Sequence, residues 1–180
     1  FLMSYFAQFP KIQYDLKGDG NVNIVPDIFR RIKLKNKIRD NLVLLDKYDL
    51  TDGEKPEDVA YKIYGSVDYY WVVLLINNVV DRYYDWPMGF QEFEEFVKDK
   101  YAEPGAIHHY EVKQSSGRQD GLSPEDYSHY IEVNADHLNS QAVSNYEYEQ
   151  RLQNQKRQIK VLDPDYLSSF IEEFEKLIRR

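Results

Sequence analysis

The chain contains no cysteine among its 180 residues. Without cysteine it can form neither a disulfide framework nor a metal site built on thiolates. Long apolar runs are also missing, since the longest, from Trp71 to Ile76, is far shorter than the ~20 residues that a membrane-spanning helix needs. Residues 1–3 lack the basic and apolar regions of a secretory signal, so we expect no signal peptide there and no membrane partner.

Positive charge is scarce, with 23 basic against 31 acidic residues and a net charge of -8. Nucleic-acid binding needs a positive surface, because contacts with phosphates supply much of the affinity. We therefore expect no nucleic-acid partner. The sequence also lacks a glycine-rich phosphate loop and a Gly-x-Ser-x-Gly element, so we expect no catalytic residues, no cofactor and no enzyme.

Aromatic residues are plentiful: 16 tyrosines, 9 phenylalanines and 2 tryptophans. They suit either a core or a protein interface, because their rings offer much contact area with few rotors. Residues 1–26 place apolar side chains between prolines and glycines without a regular period. This pattern predicts an extended arm in a partner's groove, whereas a disordered leader would be poor in aromatics. The arm residues expected to bind a partner are Phe6, Phe9, Pro10, Ile12 and Tyr14.

A basic segment follows, with six positive charges from Arg30 to Arg39. Apolar residues from Ile32 onward recur with a period close to two, which indicates an edge strand or extended segment. The charges either protect that edge or dock onto an acidic partner. The partner-binding candidates here are Ile28, Phe29, Arg30 and Arg31.

The middle of the chain predicts a strand followed by two helices. The strand covers residues 41–50, and Pro56 begins the first helix because its fixed φ fits the first turn. Gly65 ends that helix in a left-handed conformation. The second helix runs from a cap at Asp68 to Asn77 and is apolar almost all round, which predicts central burial.

The remaining pattern predicts an α+β fold: a small βαα core with an extended N-terminal arm and a C-terminal α+β region. We assign residues 1–40 to the arm and basic segment, 41–88 to the core and 89–180 to the C-terminal region. The C-terminal elements are a helix over 89–101, a long-looped hairpin of strands 106–113 and 127–134, a polar helix over 144–155, a strand over 158–162 and a terminal helix after residue 164.

Histidines are the obvious metal-ligand candidates. Adjacent His108 and His109 on a predicted strand should point to opposite faces and so cannot easily bind one ion. His129 on the paired strand could approach one of them, with Glu111 or Glu132 nearby. Because a metal needs a closely spaced ligand set, we expect no metal site.

The stretch from Gly53 to Asn77 resembles the helix pair of LysM modules. Its signature residues are Gly53, Ala60, Tyr64, Gly65, Trp71 and Asn77. LysM modules usually bind glycans, so the resemblance implies an alternative function as a peptidoglycan-binding module of a wall-associated or tail lysin protein. However, Gly53-Glu54-Lys55 replaces the usual Gly-Asp-Thr, and no closing strand is recognisable after Asn77. Both loops beside the glycan groove are thus altered, and we do not expect glycan binding.

Taken together, the chain resembles the T4-type bacteriophage baseplate wedge subunit with a LysM-like core. Residues 102–143 match it least. The resemblance implies a structural virion protein of the tail baseplate, present in the host cytoplasm during assembly, that contacts other wedge subunits and the tail hub region. The matching segments outside the helix pair are Phe9-Pro10-x-Ile12-x-Tyr14, Asp27-Ile28-Phe29-Arg30, Tyr83-Tyr84-x-Trp86 and Arg157-Gln158-Ile159-Lys160-Val161.

Overall fold

The computed structural model describes residues 5–32, 44–114 and 129–179. The chain forms two compact units: the first comprises residues 1–86 and 157–180, and the second residues 87–156. Residues 157–180, which the sequence groups with the C-terminal region, thus belong to the first unit. The division into three functional regions stays a prediction. Helices and strands are both abundant, which confirms the α+β class.

The elements are numbered along the chain. The strands are β1 (Lys11–Tyr14), β2 (Asn23–Pro26), β3 (Leu45–Asp49), β4 (Ile107–Gln114), β5 (His129–Val133), β6 (Gln141–Ser144) and β7 (Gln158–Leu162). The α-helices are α1 (Pro56–Tyr64), α2 (Tyr70–Ile76), α3 (Phe90–Lys100), α4 (Asn145–Arg157) and α5 (Leu167–Ile178). Short 3-10 helices occupy Tyr5–Gln8, Val67–Tyr69 and Pro164–Tyr166.

The arm contains a regular hairpin, where the sequence predicts an irregular extended segment. Strands β1 and β2 pair antiparallel, with Ile12 opposite Val25. The Asp15 carboxylate accepts hydrogen bonds from the backbone amides of Gly18 (2.7 Å) and Gly20 (2.8 Å). Both glycines have positive φ, which favours glycine and lets the connection turn back on itself. The predicted edge strand lies mostly in residues 33–43, outside the described residues.

Local signals determine the first helix of the predicted pair. Helix α1 begins at Pro56, and the Lys55 amide donates to the Asp58 carboxylate at 3.0 Å. Gly65 ends the helix with φ 74°, and its amide donates to the Tyr61 carbonyl at 3.0 Å. Both predicted boundaries are therefore confirmed.

The prediction that Asp68 caps the second helix was wrong. Ser66, not Asp68, caps the turn before this helix: its backbone is extended and its hydroxyl accepts the Asp68 amide at 3.3 Å, while Tyr69 directly before α2 makes no side-chain cap. A 3-10 turn over Val67–Tyr69 then leads into α2. Trp71 and Val72 of this helix are buried, as the all-round apolar pattern predicts.

The strand that pairs with β3 comes from the far end of the sequence. β7 pairs antiparallel with β3, from Leu45 opposite Leu162 to Asp49 opposite Gln158. The sequence predicts β7 as a strand but assigns it no partner. Along the chain β3, the helix pair and β7 follow one another in the first unit, with residues 87–156 inserted before β7. Its LysM-like character stays a prediction.

Helix α2 contributes to both apolar clusters of the first unit, which explains its burial. One cluster consists of Phe9, Leu45, Trp71, Val72, Ile76, Leu162, Phe174 and Ile178. The other consists of Leu50, Val59, Ala60, Val73, Trp86, Ile159 and Val161. The arm, the helix pair, both strands and the terminal helix therefore share one packed body.

The second unit contains an antiparallel sheet of order β5-β4-β6, with α3 and α4. The β4–β5 pairing confirms the predicted hairpin, whose connection at residues 115–128 lies outside the described residues. Strand β6 was not predicted, because only Val143 of its four residues is buried. In α3, Phe93 and Val97 are buried while Phe90 is exposed. None of the described helices is long and apolar enough to cross a membrane.

Candidate functional site

The start of the arm is anchored in the first unit. The 3-10 turn over Tyr5–Gln8 brings the Tyr5 ring within 4.9 Å of Phe9 and 5.6 Å of Trp71, between ring centroids. Phe9 is only 5% exposed, so its side chain is not available to a partner, in contrast to the prediction. The sequence could not show this, because the turn that buries Phe9 packs against a helix sixty residues away.

Beyond this anchor the hairpin and the turn after it expose many apolar side chains. Phe29 is 85% exposed and Ile28 63% exposed, so both side chains are accessible, and their role in partner binding stays a prediction. Pro10 and Ile12 are half-buried. These exposed apolar residues follow one another closely along the chain, so they are not isolated surface positions. We call the exposed set, which is Phe6, Tyr14, Leu16, Val22, Ile24, Ile28 and Phe29, the apolar arm.

The two arginines after the apolar arm have different surroundings. The Arg30 guanidinium contacts the Asp27 carboxylate at 3.1 Å and donates to the Ile178 carbonyl at 3.0 Å. It therefore fixes the arm to the last turn of α5, where a cation also complements the helix dipole. Arg31 is exposed, and in the part of the chain that the structure describes it contacts no carboxylate.

A cleft of about 400 Å³ lies beside the arm in the first unit. Trp71, Leu74 and Leu75 of α2 line it together with Phe6 and Ile28 of the apolar arm. Arg31 and Val80 also line it, and Val80 is 63% exposed. We call this space the arm cleft. Sequence reasoning missed Leu75 and Val80, because the cleft combines segments that only the fold brings together.

Glu54 links the two loops next to the helix pair. Its carboxylate accepts hydrogen bonds from Lys62 Nζ (2.7 Å), Tyr48 Oη (2.8 Å) and the Thr51 amide (2.9 Å), and its side chain is 2% exposed. Burial alone raises the pKa of this carboxyl, but the Lys62 ammonium and the other donors outweigh burial and lower the pKa to about 2. The Trp86 indole N–H donates to the Glu54 carbonyl at 2.8 Å.

Two signature residues of the helix pair bind β7. The Asn77 amide donates to the Lys160 carbonyl at 2.7 Å and accepts from the Lys160 amide at 2.8 Å. The Tyr64 hydroxyl accepts from the Leu162 amide at 3.0 Å, and burial raises the pKa of Tyr64 to about 12. These hydrogen bonds thus fix the backbone of β7 to both helices of the pair.

The other signature residues also serve the fold. Ala60 and Trp71 are buried, and Gly53 and Gly65 have φ of 69° and 74°. At such φ a larger side chain is strained, so both turns favour glycine. Each signature residue therefore has a structural explanation that does not require a ligand.

The histidine prediction was wrong in its geometry. A bulge between Ile107 and His109 disrupts the alternation of β4, and the Nδ1 atoms of His108 and His109 lie 2.8 Å apart. His129 lies opposite Gln114, toward the other end of β4. Within the described ranges no group of three or more His, Asp or Glu side chains is arranged to hold a metal ion.

The buried carboxylates of the second unit are bound by cations. Glu111 accepts two hydrogen bonds from Arg151 Nη1 at 2.8 Å each. Glu149 accepts from Lys100 Nζ (2.7 Å) and Tyr101 Oη (2.8 Å). The hydrogen bond with Glu149 raises the pKa of Lys100, and that with Glu111 raises the pKa of Arg151. Pairing of this kind is what buried charges need for stability.

Comparison with known proteins gives two matches. A family model described as "Base plate wedge protein 53" matches residues 4–119, which include the apolar arm, the arm cleft and the helix pair. The "Baseplate wedge protein gp53" of Enterobacteria phage T4 is 36% identical over 84 residues. That match covers 45% of this chain and 43% of the relative, so the chain spans less than half of the curated protein it matches.

Proposed function

The chain belongs to the base plate wedge protein 53 family, and on this basis we propose that it is a structural protein of a contractile-tail phage baseplate. In this proposal it resides in the virion tail, assembles in the host cytoplasm and joins wedge subunits to one another by protein–protein contacts. The other wedge subunits and the tail hub region are its partners. It performs no catalysis.

The apolar arm is the observation that carries the proposal. Its base is fixed in the first unit through Phe9 and Arg30, while Phe29 remains 85% exposed. A large exposed apolar surface is unfavourable for a protein that stays alone in water, and covering it in an assembly removes that cost. Bulky aromatic side chains on an anchored support also suit the centre of an interface.

The polar interior of the chain supports a structural role as well. Glu54, Glu111 and Glu149 are buried, and each is bound by a lysine or an arginine of its own unit. These groups hold strands and helices in place, as a scaffold requires. A rigid scaffold lowers the entropy that the arm must lose when it binds.

The proposal is tested by replacing Ile28 and Phe29 together with aspartate in phage that lacks the parent protein. We expect the variant to fold, because both side chains are exposed, and to be lost from purified baseplates. Leu138→Asp is the matched control, since Leu138 is an exposed leucine of the second unit. Baseplates that incorporate the double variant as well as the control would contradict the proposal.

Peptidoglycan binding is the competing function. The Asn77 amide is fully engaged with the backbone of Val73 and Lys160, and Trp86 is buried with its N–H on the Glu54 carbonyl. Both loops that a LysM groove would use are therefore occupied by contacts within the chain. Titration calorimetry with N-acetylglucosamine oligomers should give no binding heat. Binding heat that disappears on substitution of Asn77 would instead support glycan binding.

A further inference from the structure

We infer that the arm cleft binds an apolar segment of another baseplate subunit that carries a carboxylate beside its apolar side chains, and that Arg31 pairs with this carboxylate. The inference rests on the proposed function.

The lining of the arm cleft determines the apolar part of the ligand. Trp71, Leu74 and Leu75 come from α2, and Ile28 and Val80 keep most of their side-chain surface exposed. Its volume of about 400 Å³ falls within the range of ~300–1,000 Å³ that is usual for ligand pockets. Bulky apolar side chains that enter it would cover this exposed surface, and that burial drives association.

Arg31 determines the charged part of the ligand. Every other arginine that the structure describes contacts a carboxylate of this chain. Arg31 contacts none among the described residues. The pairs are Arg30–Asp27, Arg82–Glu57, Arg151–Glu111, Arg157–Asp52 and Arg179–Glu175. In a chain with a net charge of -8, an exposed arginine beside a cleft with apolar side chains is complementary to an external carboxylate. Its planar guanidinium can bind both carboxylate oxygens at once.

The charge of the chain also argues against two other occupants. A nucleic acid would be repelled by the net charge of -8 and could not use the apolar lining. A second copy of this chain would bring the same net negative charge to the contact. A different subunit with an apolar segment and a nearby Asp or Glu fits both the lining and Arg31.

Photo-crosslinking in the assembled baseplate tests the location of the contact. A benzoylphenylalanine at Val80 is accommodated because that side chain is 63% exposed, and one at Leu138 in the second unit is the control. We expect the Val80 probe to crosslink a segment of another subunit with Asp or Glu next to apolar residues. A crosslink to another copy, to a segment without a carboxylate, or to nothing in baseplates that contain the chain would overturn the inference.

The outcomes separate the inference from the proposed function. If the chain is present in baseplates but the Val80 probe gives no crosslink to another subunit, only the inference fails. If the chain is absent from baseplates, the proposed function fails and the inference fails with it.

A binding measurement tests the role of Arg31. The crosslinked segment is made as a labelled peptide, and its affinity for the full chain is measured by fluorescence anisotropy at low and high salt. We expect Arg31→Ala to bind roughly tenfold more weakly and to lose most of the salt dependence. Lys17→Ala removes an exposed cation of the hairpin and should leave the affinity unchanged.

Charge reversal completes this test. Arg31→Glu should abolish binding of the parent peptide, and a peptide with lysine in place of its carboxylate should restore binding to Arg31→Glu. Equal affinity of Arg31→Ala and the parent chain, or no rescue by the reversed pair, would overturn the role of Arg31.

Discussion

Replacing Glu54 with glutamine removes one buried negative charge and almost no volume. The carboxylate is 2% exposed and accepts from Lys62, Tyr48 and Thr51, and its pKa is lowered from 4.5 to about 2. A shift of this size corresponds to about 3 kcal/mol of folding free energy, since each pKa unit is worth ~1.4 kcal/mol. We expect Glu54→Gln to lose about this much stability near neutral pH.

The pH dependence distinguishes the charge from the shape of the side chain. Because the folded pKa of Glu54 is lower than the unfolded pKa, its contribution is complete above the unfolded value and is lost as pH falls toward the folded value. The difference between the parent chain and Glu54→Gln should therefore decrease from about 3 kcal/mol at pH 6 to about 1.4 kcal/mol at pH 3. Carboxylates common to both proteins cancel in this comparison.

Tryptophan fluorescence in a urea titration is the suitable assay. Both tryptophans, Trp71 and Trp86, belong to the first unit, so their emission reports its unfolding. Glu172→Gln, which removes an exposed carboxylate of α5, serves as the control and should change stability little. A loss for Glu54→Gln that is the same at pH 6 and pH 3 would refute the electrostatic explanation.

Two further substitutions test contacts within each unit. Asn77→Ala removes the amide that bonds the Lys160 backbone, so the free energy of unfolding of the first unit should fall by about 2 kcal/mol, and an unchanged urea midpoint would argue against this. Arg151→Met leaves Glu111 buried without its cation. Because the Arg151 side chain is 38% exposed, solvent limits the loss to about 1–2 kcal/mol, seen as faster amide hydrogen exchange in β4 and α4, and equal exchange would contradict it.

The helix pair could be predicted from the sequence because its signals are local. Pro56 at the start of α1 and Gly65 at its end act through their own backbone preferences. The burial of α2 follows from its all-round apolar pattern. The error at Asp68 is also local: Ser66 and Asp68 are both good caps, and only the extended backbone at Ser66 decides between them.

Contacts between distant segments could not be predicted in the same way. β7 has a clear strand pattern, yet nothing in that pattern identifies β3 as its partner. Phe9 is buried in a cluster that also contains Trp71, and the histidine geometry depends on a bulge that shifts the register of β4. Partner binding by Ile28, Phe29, Arg30 and Arg31 stays a prediction, and the arm cleft beside them was not predicted.

The pairing of β3 with β7 has a consequence for synthesis on the ribosome. β3 ends at residue 49 and β7 begins at residue 158, so β3 waits roughly 5–20 s for its partner at ~5–20 residues/s. During this time the Asn77 side chain lacks its hydrogen-bond partner, the Lys160 backbone, and the edge of β3 that pairs with β7 is open. Residues 87–156 are contiguous and emerge before residue 157. The unit that is inserted into the other can therefore be completed first, and the unit that begins the chain is completed last.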